Sequence, residues 1–342
     1  MNGDYKSTQK GFALAAVLWL LAGLSIVVTL VADSAKTSAE RVGQLRERTE
    51  FVRGAISARG KLEYWLSTTR PRNADFFDGV QGVRVDQTPY LANPSNIVEL
   101  QDVGGLINLN HIERNLITAF LTQCGVPVEQ SPFLIDALED YIDTDGLQRI
   151  NGAERDSYSL VGKAGPRNGP LLSEAEIWSV LGWDAYKTLL EGAGCFSDFT
   201  VSGQVNSLGN SMNLATASVR VLKASGLSDD AVADLDDARR DPEKVGQRLA
   251  QNAELNGSGG LFGGAGGLTS QKTLRVMHRA VKGPWTMEYV LVLDPDNDDR
   301  PWSITQPRIS ASPVPAGKLV PLPWPAEAQG SIPSDVSRIF SL

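Results

Sequence analysis

Residues 12–32, FALAAVLWLLAGLSIVVTLVA, decide the fold of this chain because they carry no charged side chain. About 20 apolar residues, at about 1.5 Å rise per residue, form a helix roughly 30 Å long, which matches the hydrocarbon core of a bilayer. Lys6 and Lys10 precede the run, and basic residues on that side favour a cytoplasmic N-terminus. The sequence therefore predicts one membrane-spanning helix, with the later domains on the opposite side of the membrane.

The helical pattern continues beyond Ala32 without a break. Apolar residues recur at helical spacings between charged ones, namely at Val42, Leu45, Val52, Ile56 and Leu62. A cleaved signal peptide would have a shorter apolar core and a small-residue cleavage site, which Ala32-Asp33-Ser34 matches poorly. We therefore expect the helix to continue as a stem over residues 33–67.

The residues before the apolar run favour one class of N-terminus. Lys10-Gly11 stands directly before Phe12, at the end of a short, polar and basic leader. Such a leader, followed by an apolar run that continues into an amphipathic helix, is typical of a type IV prepilin. An ordinary signal anchor with an incidental glycine is the alternative.

The composition narrows the classes of function. At 342 residues the chain is long enough for two or three domains, and its formal net charge of −8 leaves no basic surplus for nucleic-acid phosphates. Cys124 and Cys195 are too few for a disulfide-stapled scaffold and lack the paired spacing of a zinc site. The sequence is compatible with one disulfide between them and also with two separate buried thiols.

Strand-like segments flank a long helical region. Turn residues and short β-type runs occupy residues 68–105, while Thr273–Ala280 and Trp285–Leu293 alternate like antiparallel strands around Gly283-Pro284. The Gly-rich stretch 256–267 lacks the Gly-Lys-Ser/Thr ending of a phosphate loop, so we interpret it as a flexible surface loop. The predicted divisions are a leader at 1–11, a transmembrane helix at 12–32, a stem helix at 33–67, strands at 68–105, an inserted helical domain at 106–272, strands at 273–306 and an extended Pro-rich tail at 307–342.

A weak internal repeat runs through the helical region. Ile107-Asn108-Leu109-Asn110 opens one helical segment, for which Asn110 is the predicted N-cap, and Asn213-Leu214-Ala215-Thr216 opens another. The segments end at turns that contain Gly125 and Gly226. We expect two copies of a small helical packing unit, because these turns lack the basic residues of DNA-binding helix-turn-helix units.

One acidic loop has the composition of a cation site. Asp143, Asp145 and Glu154 fall at positions 1, 3 and 12 of an EF-hand count, but Gln148 stands where an EF-hand requires glycine. The loop is therefore not an EF-hand, although its oxygen ligands favour Ca²⁺ over transition metals. A solvated acidic loop is the alternative. The candidate ligands are Asp140, Asp143, Asp145, Asn151, Glu154 and Asp156.

The remaining polar motifs give no catalytic prediction. The two histidines of the chain, His111 and His278, have no nucleophile motif nearby, so we interpret both as ordinary structural residues. A second acidic run, DPDNDD at residues 294–299, is interpreted as a solvated hairpin turn.

Five patches, in this order along the chain, resemble the minor pseudopilin K family of bacterial type II secretion systems. They are Lys10-Gly11-Phe12 with Val17-Leu18-Trp19; Gly105-Leu106-Ile107-Asn108-Leu109-Asn110; Tyr141-Ile142-Asp143-Thr144-Asp145 leading to Asn151-Gly152-Ala153-Glu154; Pro166-Arg167-Asn168-Gly169-Pro170-Leu171; and Asn213-Leu214-Ala215-Thr216-Ala217. The resemblance implies an α+β, type IV pilin-like fold, in which a long N-terminal helix lies against a small antiparallel sheet and a large helical domain is inserted between the strands.

The resemblance also implies how the protein is processed and where it acts. It implies cleavage after Gly11 by the prepilin peptidase, N-methylation of Phe12 and structural calcium in the acidic loop. It implies a single-pass protein of the bacterial inner membrane with a periplasmic globular domain, and it implies the inner-membrane assembly platform as a partner. The implied function is to form the pseudopilus tip with minor pseudopilins I and J, and so to support export of folded exoproteins.

The sequence departs from the family pattern in two ways, and two other functions are alternatives to the one that the resemblance implies. Ala16 stands at the fifth position after the cleavage site, where ordinary pilins carry glutamate, although its absence is usual in the K subunit. The Gly-rich stretch and the Pro-rich tail match nothing in the family. The alternatives are a membrane-anchored helix-turn-helix protein that handles DNA in a competence-type system, which the acidic composition disfavours, and an anchored periplasmic enzyme, for which no catalytic cluster is found.

Overall fold

The computed structural model describes residues 10–71, 75–77, 82–202, 212–239, 247, 251, 272–294, 297, 301–311 and 322–324. Most of the predicted leader, the Gly-rich stretch 256–267 and most of the Pro-rich tail therefore lie outside the described residues. The chain forms two compact units, Met1–Gly54 and Ala55–Leu342.

The N-terminal unit contains the first part of helix α1, which runs from Lys10 to Thr68 over 59 residues. Its side chains from 13 to 50 are exposed, including large apolar ones such as Leu14 and Trp19. Among the described residues, α1 is the one helix long and apolar enough to cross a membrane. The continuous helix predicted over residues 12–67 is confirmed.

The last turns of α1 belong to the C-terminal unit and are packed there. Ala55, Leu62 and Leu66 are buried, and Glu63 forms a hydrogen bond with Trp302. These three apolar residues recur at helical spacing, so they form one buried face of the helix.

The main sheet of the C-terminal unit has six strands in the order β10-β9-β8-β5-β4-β11. Neighbouring strands are antiparallel except for β11, which pairs in parallel with β4. The strands are β4 (Asp86–Asn93), β5 (Asn96–Asp102), β8 (Thr273–Ala280), β9 (Trp285–Leu293), β10 (Trp302–Ala311) and β11 (Leu322–Pro323). The bounds of β8 and β9 are those predicted, and Gly283 in their turn has a φ of +91°, which glycine adopts without strain.

Two smaller sheets complete the strands. β1 (Arg70–Pro71), β2 (Asp75–Phe77) and β3 (Gly82–Arg84) form a three-stranded sheet, and β6 (Ile107–Asn108) pairs in parallel with β7 (Phe199–Thr200). The second pair joins the start of the helical region to a segment much later in the chain.

A helical insertion separates β5 from β8. Its helices are α2 (Arg114–Gln123), α3 (Ser131–Ile142), α4 (Arg155–Leu160), α5 (Lys187–Gly192), α6 (Val219–Ala224) and α7 (Asp229–Ala238). Short 3₁₀ helices lie between them at Val103–Gly105, Val128–Gln130, Glu174–Ser179, Trp183–Tyr186 and Cys195–Asp198. One continuous cluster of buried apolar residues, from Ile107 to Ala238, forms its core. The inserted helical domain of the predicted fold class is confirmed.

The internal repeat corresponds to two helix–turn–helix units, α2 with α3 and α6 with α7. The turn of the first contains Gly125 at φ +91°, and that of the second contains Gly226 at φ +88°. Both glycines follow the last helical turn in the left-handed conformation that is common at helix C-termini.

Two details differ from the sequence-based expectations. The N-cap of α2 is Glu113, whose carboxylate accepts hydrogen bonds from the backbone N–H groups of Asn115 and Leu116, so the prediction of Asn110 as the cap is wrong. The predicted tail boundary at residue 307 is also wrong, because β10 continues to Ala311 and Leu322–Pro323 pair with β4.

Candidate functional site

The acidic loop, residues 143–154, connects α3 to α4. Asp140 lies on the last turn of α3 and is completely buried, and Asp143 caps the end of that helix. Glu154 directly precedes α4 and is 8% exposed. The fold therefore places these three carboxylates, from the two ends of one loop, in the same region of the domain.

The loop places a guanidinium among the acidic side chains. The Nη1 atom of Arg149 lies 2.6 Å from Asp140 Oδ1 and also donates to Asp143 Oδ2. Its Nε atom lies 2.9 Å from Oε2 of Glu139. Arg149 therefore neutralises carboxylates at both the buried and the exposed side of α3.

Glu154 is the least satisfied carboxylate of the group. Its Oε1 atom and Oδ1 of Asp143 are buried and have no hydrogen-bond partner. Burial raises the pKa of the Glu154 carboxyl, and the negative charges of Asp140 and Asp143 raise it further. Such a buried acceptor is unfavourable unless a proton or a cation approaches it.

Gly152 is required by the close approach of the loop to α3. A Cβ atom at this position would lie 1.9 Å from Oδ2 of Asp140. Any larger residue would displace either the loop backbone or the buried carboxylate.

The other predicted ligands lie outside this group of carboxylates. Asp145 is exposed and accepts from the backbone N–H of Leu147 at 2.8 Å, although its charge also affects Glu154. Asn151 uses its side-chain amide and backbone N–H to bind Asp136 Oδ2, both at 3.1 Å. Asp156 is exposed in the first turn of α4.

These contacts permit a test of whether the residues fit a calcium ion. The oxygen-only donors and the unpartnered oxygens of Asp143 and Glu154 suit a hard cation. Among the described residues, however, no three Asp, Glu, His or Cys side chains are arranged so that they could hold a metal ion. Arg149 lies between two of the required carboxylates, so a cation fits only if this side chain withdraws.

The helical insertion also contains a covalent link. Cys124, at the end of α2, and Cys195 form a disulfide. Beside it, Arg220 of α6 donates to Asp198 Oδ2 and to the carbonyl of Gly194, both at 2.8 Å. The disulfide and this arginine thus fasten the Cys195 segment to one helix of each repeat unit.

A buried polar junction, which the sequence did not predict, attaches the insertion to the sheet. Oδ2 of Asp102, at the end of β5, accepts from Asn213 Nδ2 at 2.6 Å and from Thr216 Oγ1 at 3.1 Å. Gly105 passes so close to this segment that a Cβ atom would lie 2.6 Å from the carbonyl carbon of Thr216. The second repeat motif therefore binds the end of β5, a central strand of the main sheet.

Asn110 of the first motif has a comparable role. Its side-chain oxygen accepts from Leu171 N at 2.7 Å, and its amide donates to the carbonyls of Leu171 and Val201 at 3.0 and 3.2 Å. It therefore joins the first helical unit to the Pro166–Leu171 patch.

The remaining sequence-predicted residues lie outside these sites. Gly11 and Phe12 are in the first turns of α1. His111 is exposed, whereas His278 is completely buried with its Nε2 atom 3.2 Å from the hydroxyl of Tyr289. Burial lowers the pKa of His278 to about 3, so this imidazole is neutral at pH 7 and acts as a core residue.

The second repeat unit is unsuited to binding phosphates. A helix N-terminus attracts anions when it is free of negative charge. The first turn of α7 instead carries Asp229 and Asp230, both exposed.

Comparison with known proteins relates the chain to one family. Residues 93–189 match the family model described as type II secretion system protein K. The structure resembles a chain of the crystal structure of the GspK–GspI–GspJ complex from the enterotoxigenic Escherichia coli type 2 secretion system, with a TM-score of 0.54 and 18% identity, covering 80% of this chain and 100% of that chain. A search of curated proteins by sequence finds no match. The resemblance and the fold class inferred from the sequence are confirmed.

Proposed function

We propose that this chain is a minor pseudopilin of a type II secretion system that works at the tip of the periplasmic pseudopilus with minor pseudopilins I and J. The observation that carries the proposal is the similarity of fold to the whole of a chain from the GspK–GspI–GspJ complex. The match of residues 93–189 to the protein K family supports it further, and these residues cover strand β5 and about the first half of the insertion.

The N-terminal part of the proposal concerns anchoring and processing. The exposed apolar side chains of α1 would be covered by lipid, which gives a single-pass protein of the inner membrane with the C-terminal unit in the periplasm. The prepilin peptidase would cleave after Gly11, and Phe12 would become the methylated N-terminus. The inner-membrane assembly platform would then receive the mature subunit.

Ala16 supports a position at the end of the filament. In ordinary pilins, the glutamate at the corresponding position is a buried carboxylate paired with the terminal amine of a neighbour, and a buried charge is unfavourable without its partner. A subunit with Ala16 offers no such partner. A large insertion would also obstruct stacking along a narrow shaft.

A structural calcium ion in the acidic loop is part of the proposal. Asp140, Asp143 and Glu154 would hold the ion after the Arg149 guanidinium leaves Asp140 and Asp143, and the ion would then neutralise their charges. The two buried carboxylate oxygens without partners support this assignment.

The direct test of the function is co-purification. The tagged full chain, extracted from membranes in detergent, should bring down both minor pseudopilins I and J. The control uses the major pseudopilin as bait under the same conditions. Its eluate should not contain I and J in amounts equal to that of the bait. Absence of both partners from the eluate of this chain would disprove the placement.

A further inference from the structure

Four charged side chains form a closed ring where the insertion meets the main sheet. Arg275 of β8, Glu288 of β9 and Arg308 of β10 come from three neighbouring strands, and Glu174 opens the 3₁₀ helix Glu174–Ser179 of the insertion. The N–O distances around the ring are 3.1 Å for Arg275–Glu174, 3.8 Å for Glu174–Arg308, 3.5 Å for Arg308–Glu288 and 3.5 Å for Glu288–Arg275. Opposite charges therefore alternate around the ring, and the insertion contributes one of the four.

The inner half of the ring is buried and the outer half is exposed. The side chains of Arg275 and Glu174 are 8% and 6% exposed, whereas those of Arg308 and Glu288 are 45% and 27% exposed. Salt screens a buried pair much less than an exposed one, and removing one partner of a buried pair leaves the other charge uncompensated. The Arg275–Glu174 pair is therefore the part of the ring on which the contact between sheet and insertion depends most.

Arg275 also binds the backbone of the insertion. Its Nη1 atom donates to the carbonyl of Ser197 at 2.8 Å, and its Nη2 atom donates to the carbonyl of Phe199. This segment begins at Cys195, whose disulfide with Cys124 joins it to the end of α2. Because of this covalent link, a residue that holds the Cys195 segment also holds the first repeat unit of the insertion.

We propose that the charge ring is a clasp that fixes the direction in which the insertion projects from the sheet. The chain enters and leaves the insertion at the rung that pairs Asp102 with Leu274, and two chain crossings so close together allow the insertion to turn about them. The ring extends to β10, which lies two strands from β8, or about 10 Å away at about 4.8 Å per strand. A second fastening at this distance opposes such a turn. The clasp belongs to the fold of this chain and does not depend on the association with I and J.

The test measures the distance between two spin labels on the full-length chain in detergent, by pulsed electron paramagnetic resonance. Glu129→Cys in the insertion and Lys282→Cys in the turn between β8 and β9 provide exposed labelling sites, and the native cysteines form the disulfide and take no label. Arg275→Met should broaden or shift the distribution of distances. Arg279→Met is the matched control, because Arg279 lies on the same face of β8 but pairs at 2.8 Å with Glu99 of β5, within the sheet. Its distribution should equal that of the wild type.

Amide hydrogen exchange provides a second readout that needs no label. Exchange in residues 195–200 should be about tenfold faster in Arg275→Met than in the wild type, and unchanged in Arg279→Met. Glu174→Gln should change both readouts less than Arg275→Met, because it keeps the two carbonyl contacts of Arg275, and Arg308→Gln should change them least.

If Arg275→Met does not fold, Glu174→Gln alone decides, since it removes a charge without leaving a carboxylate buried and unpaired. A distribution of distances that is unchanged in Glu174→Gln and in folded Arg275→Met would overturn the proposal. The same broadening in Arg279→Met would also overturn it, because the effect would then be a general loosening of the sheet. Neither result would bear on the binding of I and J, which co-purification tests separately.

Discussion

Asp102 and Leu274 are register partners in the neighbouring strands β5 and β8, so the chain enters and leaves the helical insertion at one rung of the sheet. The Asp102 carboxylate is a buried polar contact beside this rung. Arg275 of β8 provides another contact to the insertion, because its guanidinium donates to the carbonyl of Ser197 at 2.8 Å and to that of Phe199. Asn213 and Thr216, the partners of the Asp102 carboxylate, are each only 1% exposed.

Replacing this carboxylate should destabilise the C-terminal unit. Asp102→Ala removes the acceptor that lies 2.6 Å from the Asn213 amide and the nearer acceptor of the Thr216 hydroxyl, both in buried surroundings. We therefore expect a loss of about 2–3 kcal/mol in the free energy of unfolding. Denaturant unfolding of the full chain in detergent, followed by circular dichroism, measures the change. Glu129→Ala, at an exposed position of the same insertion, should stay within about 0.5 kcal/mol of the wild type. A similar value for Asp102→Ala would contradict the role of the junction.

Processing should depend on Gly11. A side chain next to the scissile bond would obstruct the peptidase, so Gly11→Val should accumulate as the uncleaved precursor. Mass spectrometry of the wild type should find methylated Phe12 at the N-terminus. Gly23→Ala is the control, because a Cβ atom there meets nothing within 4 Å and should leave cleavage intact. An N-terminus near Ser34 would show instead that the segment is an ordinary signal peptide.

Calcium should stabilise the protein through Asp143 and Glu154. A ligand that binds the folded chain alone stabilises it by RT ln(1 + L/Kd), where L is the free ligand concentration, and extracellular calcium modules have Kd values of about 10⁻⁴–10⁻³ M, so about 1 mM calcium adds about 0.4–1.4 kcal/mol. The melting temperature should therefore rise measurably in millimolar calcium. The double variant Asp143→Ala with Glu154→Ala should lose this rise, whereas Asp229→Ala with Asp230→Ala, which removes the same charge elsewhere, should keep it. Equal responses of both double variants would place the ion elsewhere.

The parts of the fold that were predictable are those determined by local pattern. The alternation of apolar and polar residues on both sides of Gly283-Pro284 predicted the bounds of β8 and β9. The spacing of apolar residues predicted the long helix. Asn110 was misjudged as a cap because its hydrogen-bond partner Leu171 lies far away in the sequence. The spacing of acidic residues likewise indicated Asp143 and Glu154 as candidate ligands. No local pattern in the sequence, however, shows that the Arg149 side chain contacts Asp140.

Stability in mild acid should depend on His278. Its pKa is about 3 in the folded chain and about 6.5 in the unfolded one, so between these values the unfolded state binds the extra proton. Stability should thus fall as the pH decreases below about 6.5, by at most about 1.4 kcal/mol per pH unit from this residue. His278→Gln should remove that slope, and exposed His111→Gln should not. Parallel pH profiles for wild type and His278→Gln would contradict the assignment.

Trp324 fastens the last described strand to the rest of the C-terminal unit. Its ring lies edge-on to Trp65 at 5.6 Å and to Tyr90 at 5.8 Å, while the preceding Leu322 and Pro323 pair with Tyr90 and Leu91 of β4. A two-residue strand is too short to hold an edge by backbone hydrogen bonds alone, so the aromatic contacts should dominate. Each such ring pair adds about 0.5–1.5 kcal/mol beyond the area it buries.

Trp324→Ala should therefore lower the free energy of unfolding by about 1–3 kcal/mol, the sum expected for its two ring contacts, and leave the half-buried Trp65 more accessible to solvent. Acrylamide quenching of tryptophan fluorescence should increase in this variant beyond the change expected from losing one fluorophore. Leu322→Ala is the control, because that side chain is already 47% exposed and its loss should change stability by less than about 1 kcal/mol. If the two variants are equally stable and equally quenched, β11 is held by something other than the aromatic contact between Trp324, Trp65 and Tyr90.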